Sequence, residues 1–82
     1  MPQRYDVRVV LDATVEQVAE LVGRWGHASG TDGRAVLEMH VDSLDWPLMV
    51  LANAQAEFTV ESPPELAEAV ARVATRFTRA AG

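Results

Sequence analysis

Hydrophobic and polar positions change period several times along the chain, and each change marks an element. From Tyr5 to Leu11 they alternate. Tyr5, Val7, Val9 and Leu11 fall on one side and Asp6, Arg8 and Val10 on the other, which predicts a strand with one buried face. Val15, Val18, Leu21, Val22 and Trp25 then recur at helical spacing, opposite Glu16, Gln17, Glu20 and Arg24, and predict a helix over 13–25. Thr14 with Gln17 three residues later reads as its capping box, and Gly23 and Gly26 loosen and end it. Asp32-Gly33 is a tight-turn signal between a weak edge strand over 27–31 and a strong strand over 34–42. In the strong strand Ala35, Leu37, Met39 and Val41 alternate with Val36, Glu38, His40 and Asp42. Asp42-Ser43 offers cap chemistry for a helix over 44–53, with Pro47 in its first turn. Strand character returns over 56–61, with Ala56, Phe58 and Val60 inward. Ser62-Pro63-Pro64-Glu65 combines a Ser cap, a first-turn Pro and a box-closing Glu, and opens a helix over 63–79.

The order is β-α-β-β-α-β with one more helix. It predicts an α+β, ferredoxin-like fold: a four-stranded antiparallel sheet with two helices on one face, plus a C-terminal helix. The first and third strands, the strongest, are expected at its centre. Eighty-two residues close only one core, so residues 1–82 are read as a single domain with soft ends at 1–4 and 80–82. The absence of cysteine excludes a disulfide framework and thiolate zinc. All seven basic side chains are arginine, and twelve carboxylates leave a net charge of −5, which disfavours stand-alone binding to a nucleic-acid backbone. No apolar run approaches the ~20 residues of a membrane span, and residues 1–4 are no secretory leader. A cytoplasmic protein without membrane contact is expected.

Two helices carry more than the fold requires. In the second, Leu44, Leu48 and Leu51 form one apolar face, while Trp46, Met49 and Val50 form another on the opposite side. A helix apolar all round is covered twice. The sheet covers one face, and the C-terminal helix, a second subunit or a neighbouring domain covers the other. In the C-terminal helix, Leu66, Val70, Val73 and Phe77 make a narrow stripe that must dock. Glu65, Glu68, Arg72, Arg76 and Arg79 line the far side. Acids in the first turns and arginines in the last suit the helix macrodipole, and Glu68–Arg72 is a favourable i, i+4 pair. That stripe reads as a solvated face. Arg72, Arg76 and Arg79 are nonetheless a candidate basic ridge for a phosphate backbone or an acidic partner.

Catalytic chemistry is sparse. His27 lies in the glycine-rich turn region and His40 on the outer face of a central strand, and neither has a second ligand at metal spacing. Ser43 and Ser62 read as helix caps, and Ser29 sits in no nucleophile elbow. The glycines between Gly23 and Gly33 match neither a P-loop nor a dinucleotide fingerprint. Neither catalytic, metal nor cofactor-binding residues are identified, and no enzyme is expected.

Three stretches, Asp42-Ser43-Leu44-Asp45-Trp46-Pro47, Ala56-Glu57-Phe58-Thr59-Val60 and Ser62-Pro63-Pro64-Glu65-Leu66, together resemble the C-terminal extension of WYL-domain transcriptional regulators, the WCX domain. Their order and spacing match from Asp42 to Leu66, and the Tyr5–Leu11 strand and the Asp32-Gly33 hairpin fall where the family has them. One departure is Gln55, where relatives usually have the glycine that ends the second helix. Asn53 is the candidate for a left-handed cap in its place. The resemblance implies a regulatory domain of a bacterial protein with an N-terminal winged helix-turn-helix and a central WYL domain. DNA reading belongs to the first part and effector sensing mainly to the second, where the effector is nucleic acid. The extension is associated with dimerisation and with coupling the signal to DNA binding. It follows that the full-length protein binds nucleic acid rather than this domain alone, and that the partners expected here are a second copy or the upstream WYL domain.

The exposed sheet face, with Arg8, Glu38, His40, Glu57 and Thr59, is the first candidate for a partner or effector surface. Trp46, Met49 and Val50 are the second. The alternatives are an ACT-like small-molecule sensor, with effectors at a dimer edge, and an acylphosphatase-like enzyme, for which the phosphate-cradling arginine loop is missing.

Overall fold

A computed structural model describes residues 5–23, 26–31 and 33–82. Along the chain run β1 (Tyr5–Leu11), α1 (Val15–Val22), β2 (His27–Thr31), β3 (Arg34–Val41), α2 (Asp45–Asn53), β4 (Phe58–Ser62) and α3 (Pro64–Ala80). The strands form one antiparallel sheet in the order β2-β3-β1-β4, so β1 and β3 are central and the α+β ferredoxin-like arrangement holds. The end of the first predicted helix with Arg24 and Trp25, the turn residue Asp32 and the leading residues 1–4 lie outside the described residues.

Alternation decides the two faces of the sheet. Val7, Val9 and Leu11 of β1 and Ala35, Leu37 and Met39 of β3 are buried beneath the helices, while Asp6, Arg8 and His40 are exposed. In register, Asp6 lies opposite His40, Arg8 opposite Glu38, and Val10 opposite Val36. β2 contains one position that no side chain can occupy. A Cβ at Gly30 would stand 2.3 Å from the Arg34 carbonyl oxygen, so the backbones of this hairpin come closer than any side chain permits. Gly33, at φ +72°, supplies the left-handed residue of the turn.

Helix starts follow local chemistry in one case and depart from it in two. At α1 the capping box forms as read. The Gln17 amide donates to Thr14 Oγ1 at 3.1 Å, and the Thr14 amide donates to Gln17 Oε1 at 2.9 Å, so the helix begins at Val15. At α3 the Ser62 cap is a correction. The helix begins at Pro64 with Pro63 as its cap residue, and Ser62 ends β4 with its hydroxyl donating to the Asp6 carbonyl at 3.3 Å. The pull of the sheet on Ser62 shifts the helix start by one residue and leaves Glu65 without a box to close. At α2, Ser43 rather than Asp42 acts, its Oγ accepting from the Asp45 amide at 3.2 Å. The left-handed cap expected at Asn53 is absent. No described non-glycine residue has positive φ, Ala54 is extended, and Asn53 donates to the Met49 carbonyl instead. β4 begins at Phe58, two residues later than the pattern suggests, and Ala56 and Glu57 form the approach to it.

The inward side of α2 differs from either face read on the wheel. Pro47, Val50 and Leu51 are buried and Ala54 partly so, an i, i+3, i+4, i+7 stripe that runs between the two predicted faces. Val50 therefore belongs to the core, at 5% exposure, and its placement on an outer apolar face is corrected. α3 is held by Leu66 and Ala69, both buried, with Val70 packed against the same core. Full burial of a leucine is worth roughly 1.5–3 kcal/mol, which is enough to pin the first turns. The stripe does not dock along its whole length, because Phe77 near the end of the helix remains 59% exposed.

Candidate interaction surfaces

On the open sheet face one arginine joins three strands. Arg8 Nε lies 2.8 Å from Glu61 Oε1 on β4, and Arg8 Nη1 lies 3.4 Å from Glu38 Oε2 on β3. A β-bulge brings Glu61 there. Val9 pairs with Val60 but Arg8 pairs with Ser62, so Glu61 is the extra residue of its strand. Beside this cluster His40 Nδ1 meets Asp6 Oδ1, and Arg34 Nε approaches Asp12 Oδ1 at 3.9 Å. Of the predicted face, Arg8, Glu38, His40 and Thr59 do share one surface. Glu57 precedes β4 and stands at the end of the sheet, where its carbonyl accepts from the Asp12 amide at 2.9 Å. With Thr59, Glu61 and Arg34 it borders a depression of about 310 Å³. Asp6 and Glu61 were not among the predicted site residues. Period-two alternation already puts both on the side of Arg8, and that signal could have found them.

The helical side offers different chemistry. An apolar groove of about 150 Å³ runs between α2, β4 and α3, lined among others by Leu48, Leu51, Phe58, Val70 and Phe77. Part of α2 is thus covered by α3. Trp46 at 38% and Met49 at 56% exposure lie on the side of α2 away from its buried stripe. A wider cleft of about 580 Å³ opens where β1, α1 and α2 end or begin, with Asp12, Gln17, Glu20 and Asn53 on its walls.

Arg72, Arg76 and Arg79 are exposed and with Thr75 border a depression of about 340 Å³ on the far side of α3. The predicted Glu68–Arg72 bridge is not formed among the described residues. An exposed i, i+4 pair gains little over the freedom of two long side chains. Among the described residues no polar or charged side chain is buried, and no group of three His, Cys, Asp or Glu is placed to hold a metal ion. No helix among them is long and apolar enough to cross a membrane.

A family model described as the WCX domain matches residues 3–78, nearly the whole chain. Comparison with curated proteins found no match, and comparison with solved structures found none either.

Proposed function

The chain belongs to the WCX domain family, and on that premise we propose that it is the regulatory and dimerisation domain of a bacterial WYL-type transcriptional regulator. In this reading it passes the state of an effector-sensing WYL domain to a helix-turn-helix elsewhere in a cytoplasmic protein, and operator DNA is bound by the whole regulator. The observation that carries the reading is the apolar chemistry at the surface of the helical layer. Met49 and Phe77 are more than half exposed, and Phe77 lines an apolar groove. An aromatic ring exposed in an apolar groove is the chemistry that a protein contact covers. The sheet face supports the reading from the other direction, because its central cation, Arg8, is already held between Glu38 and Glu61. The ACT-like alternative has less behind it. The 580 Å³ cleft is open and edged by the exposed side chains of Asp12, Gln17 and Glu20, whereas small-molecule sites enclose most of their ligand.

The test uses a full-length regulator carrying this domain. Met49→Gln/Phe77→Gln is expected to reduce the effector-dependent change in operator affinity about tenfold, the scale of a typical allosteric coupling, with folding intact by circular dichroism. Coupling that survives in a folded double variant would overturn the docking surface.

A further inference from the structure

The face of α3 away from the groove carries a second pattern. Glu65, Glu68, Arg72, Arg76 and Arg79 are all exposed, and at about 100° per residue they fall within an arc of roughly 80°, one stripe along the helix. Among the described residues none of the five makes an ion pair. α3 runs Pro64–Ala80, so Arg72 is its middle residue. Glu65 and Arg79 each lie seven residues from Arg72, and Glu68 and Arg76 each lie four residues from it. Read from either end, the stripe is its own charge complement at its four outer positions, with Arg72 set against itself at the centre.

We propose that this ridge pairs with the same ridge of a second copy. The two α3 helices run antiparallel about a twofold axis at Arg72, with Glu65 opposite the partner's Arg79 and Glu68 opposite the partner's Arg76. The proposal names the surface for the self-association in the reading above and rests on that part of it. A twofold arrangement closes on itself and makes each Glu–Arg pair twice, four favourable contacts against the single like-charge contact of Arg72 with the partner's Arg72, whereas parallel helices would set glutamate against glutamate and arginine against arginine at every position. The macrodipole explains why acids come first and arginines last. It requires neither a single stripe nor equal spacing about the centre. Three arginines and two glutamates make the ridge +1 on a chain of −5, so the ridge does not add to the acidic charge that keeps two copies apart. A polyanion laid along the same stripe would meet Glu65 and Glu68, which favours a second copy as the occupant. Each exposed pair strengthens association by only roughly two- to fivefold, so the ridge fixes register and orientation more than it sets affinity.

Two sets of variants of the 82-residue chain test this. Glu65→Arg/Glu68→Arg makes a basic ridge and Arg76→Glu/Arg79→Glu an acidic one. In sedimentation velocity each alone should associate more weakly than the unaltered chain, and the mixture should form a heterodimer about tenfold tighter than either homodimer. Orientation is read by cysteine trapping, since the chain has no cysteine of its own. An antiparallel axis at position 72 sets that residue against itself and separates position 68 from the partner's by about 12 Å along the helix. Arg72→Cys should therefore cross-link under mild oxidation about tenfold faster than Glu68→Cys, given how close two cysteines must come to bond. The trapping pair also keeps the test intact if a charge variant fails to fold. Self-association that is indifferent to both charge variants, with equal trapping rates, would overturn the ridge while leaving dimerisation through another surface. A chain monomeric at every concentration, again with equal trapping rates, would overturn both. Tight binding of a single-stranded oligonucleotide, lost on Arg76→Glu/Arg79→Glu, would assign the ridge to a polyanion and overturn the pairing.

Discussion

On the open sheet face Arg8 reaches Glu61 on one neighbouring strand and Glu38 on the other, and Asp6 meets His40. On the helical side Met49 and Phe77 stand 56% and 59% exposed, and the charged ridge of α3 makes no ion pair among the described residues. Both regions face solvent, and their residue types alone would rank the sheet face, with mixed charges and a histidine on adjacent strands, as the better site. Pairing reverses that ranking. A charge satisfied by its own chain gains little from a partner, whereas an exposed apolar side chain gains from any contact that removes it from water.

That comparison breaks first if α2 is wrongly oriented. Val50→Glu places a carboxylate at a position 5% exposed with no buried polar group among the described residues to receive it, and is expected to cost about 4 kcal/mol or to unfold the chain, as read by chemical denaturation. A silent substitution would put Val50 on the outer face after all. A smaller effect tests the sheet face. Arg8→Met keeps the aliphatic stem and leaves Glu38 and Glu61 without their shared cation, so a loss of about 1.5 kcal/mol is expected, shrinking at high salt. No loss would mean that the network contributes nothing and that this face is as open to a partner as the helices. The smallest effect sharpens the other half. Phe77→Gln should lower stability by less than about 1 kcal/mol, because the ring is already mostly in water. A larger loss in the thermal or denaturant midpoint would make Phe77 a core residue rather than a contact residue.

Much of the fold was legible in the sequence. β1 and β3 read correctly because a period of two, with one face covered, leaves no other way to bury Val7, Val9, Leu37 and Met39 together. The Thr14–Gln17 box was legible because both of its bonds are local. The cap of α3 was not, since Ser62 answers to the Asp6 carbonyl 56 residues away in the chain. The inward side of α2 was ambiguous for a related reason. With apolar residues all round, its wheel offers several stripes, and only the position of the sheet selects the one through Pro47, Val50 and Leu51.

The candidate surfaces divide in the same way. Arg8, Glu38, His40 and Thr59 could be grouped on one face from alternation alone. Their pairing required the register of three strands and the bulge that places Glu61 beside Arg8. The charge order along α3 is likewise a property of the sequence by itself, as are the strand faces, the helix period and the family resemblance. All of these depend on neighbours within a few positions. Which charges are already satisfied, where the Leu66–Phe77 stripe leaves the core and which side of α2 faces water were decided only by tertiary structure, because each depends on groups brought together from distant parts of the chain.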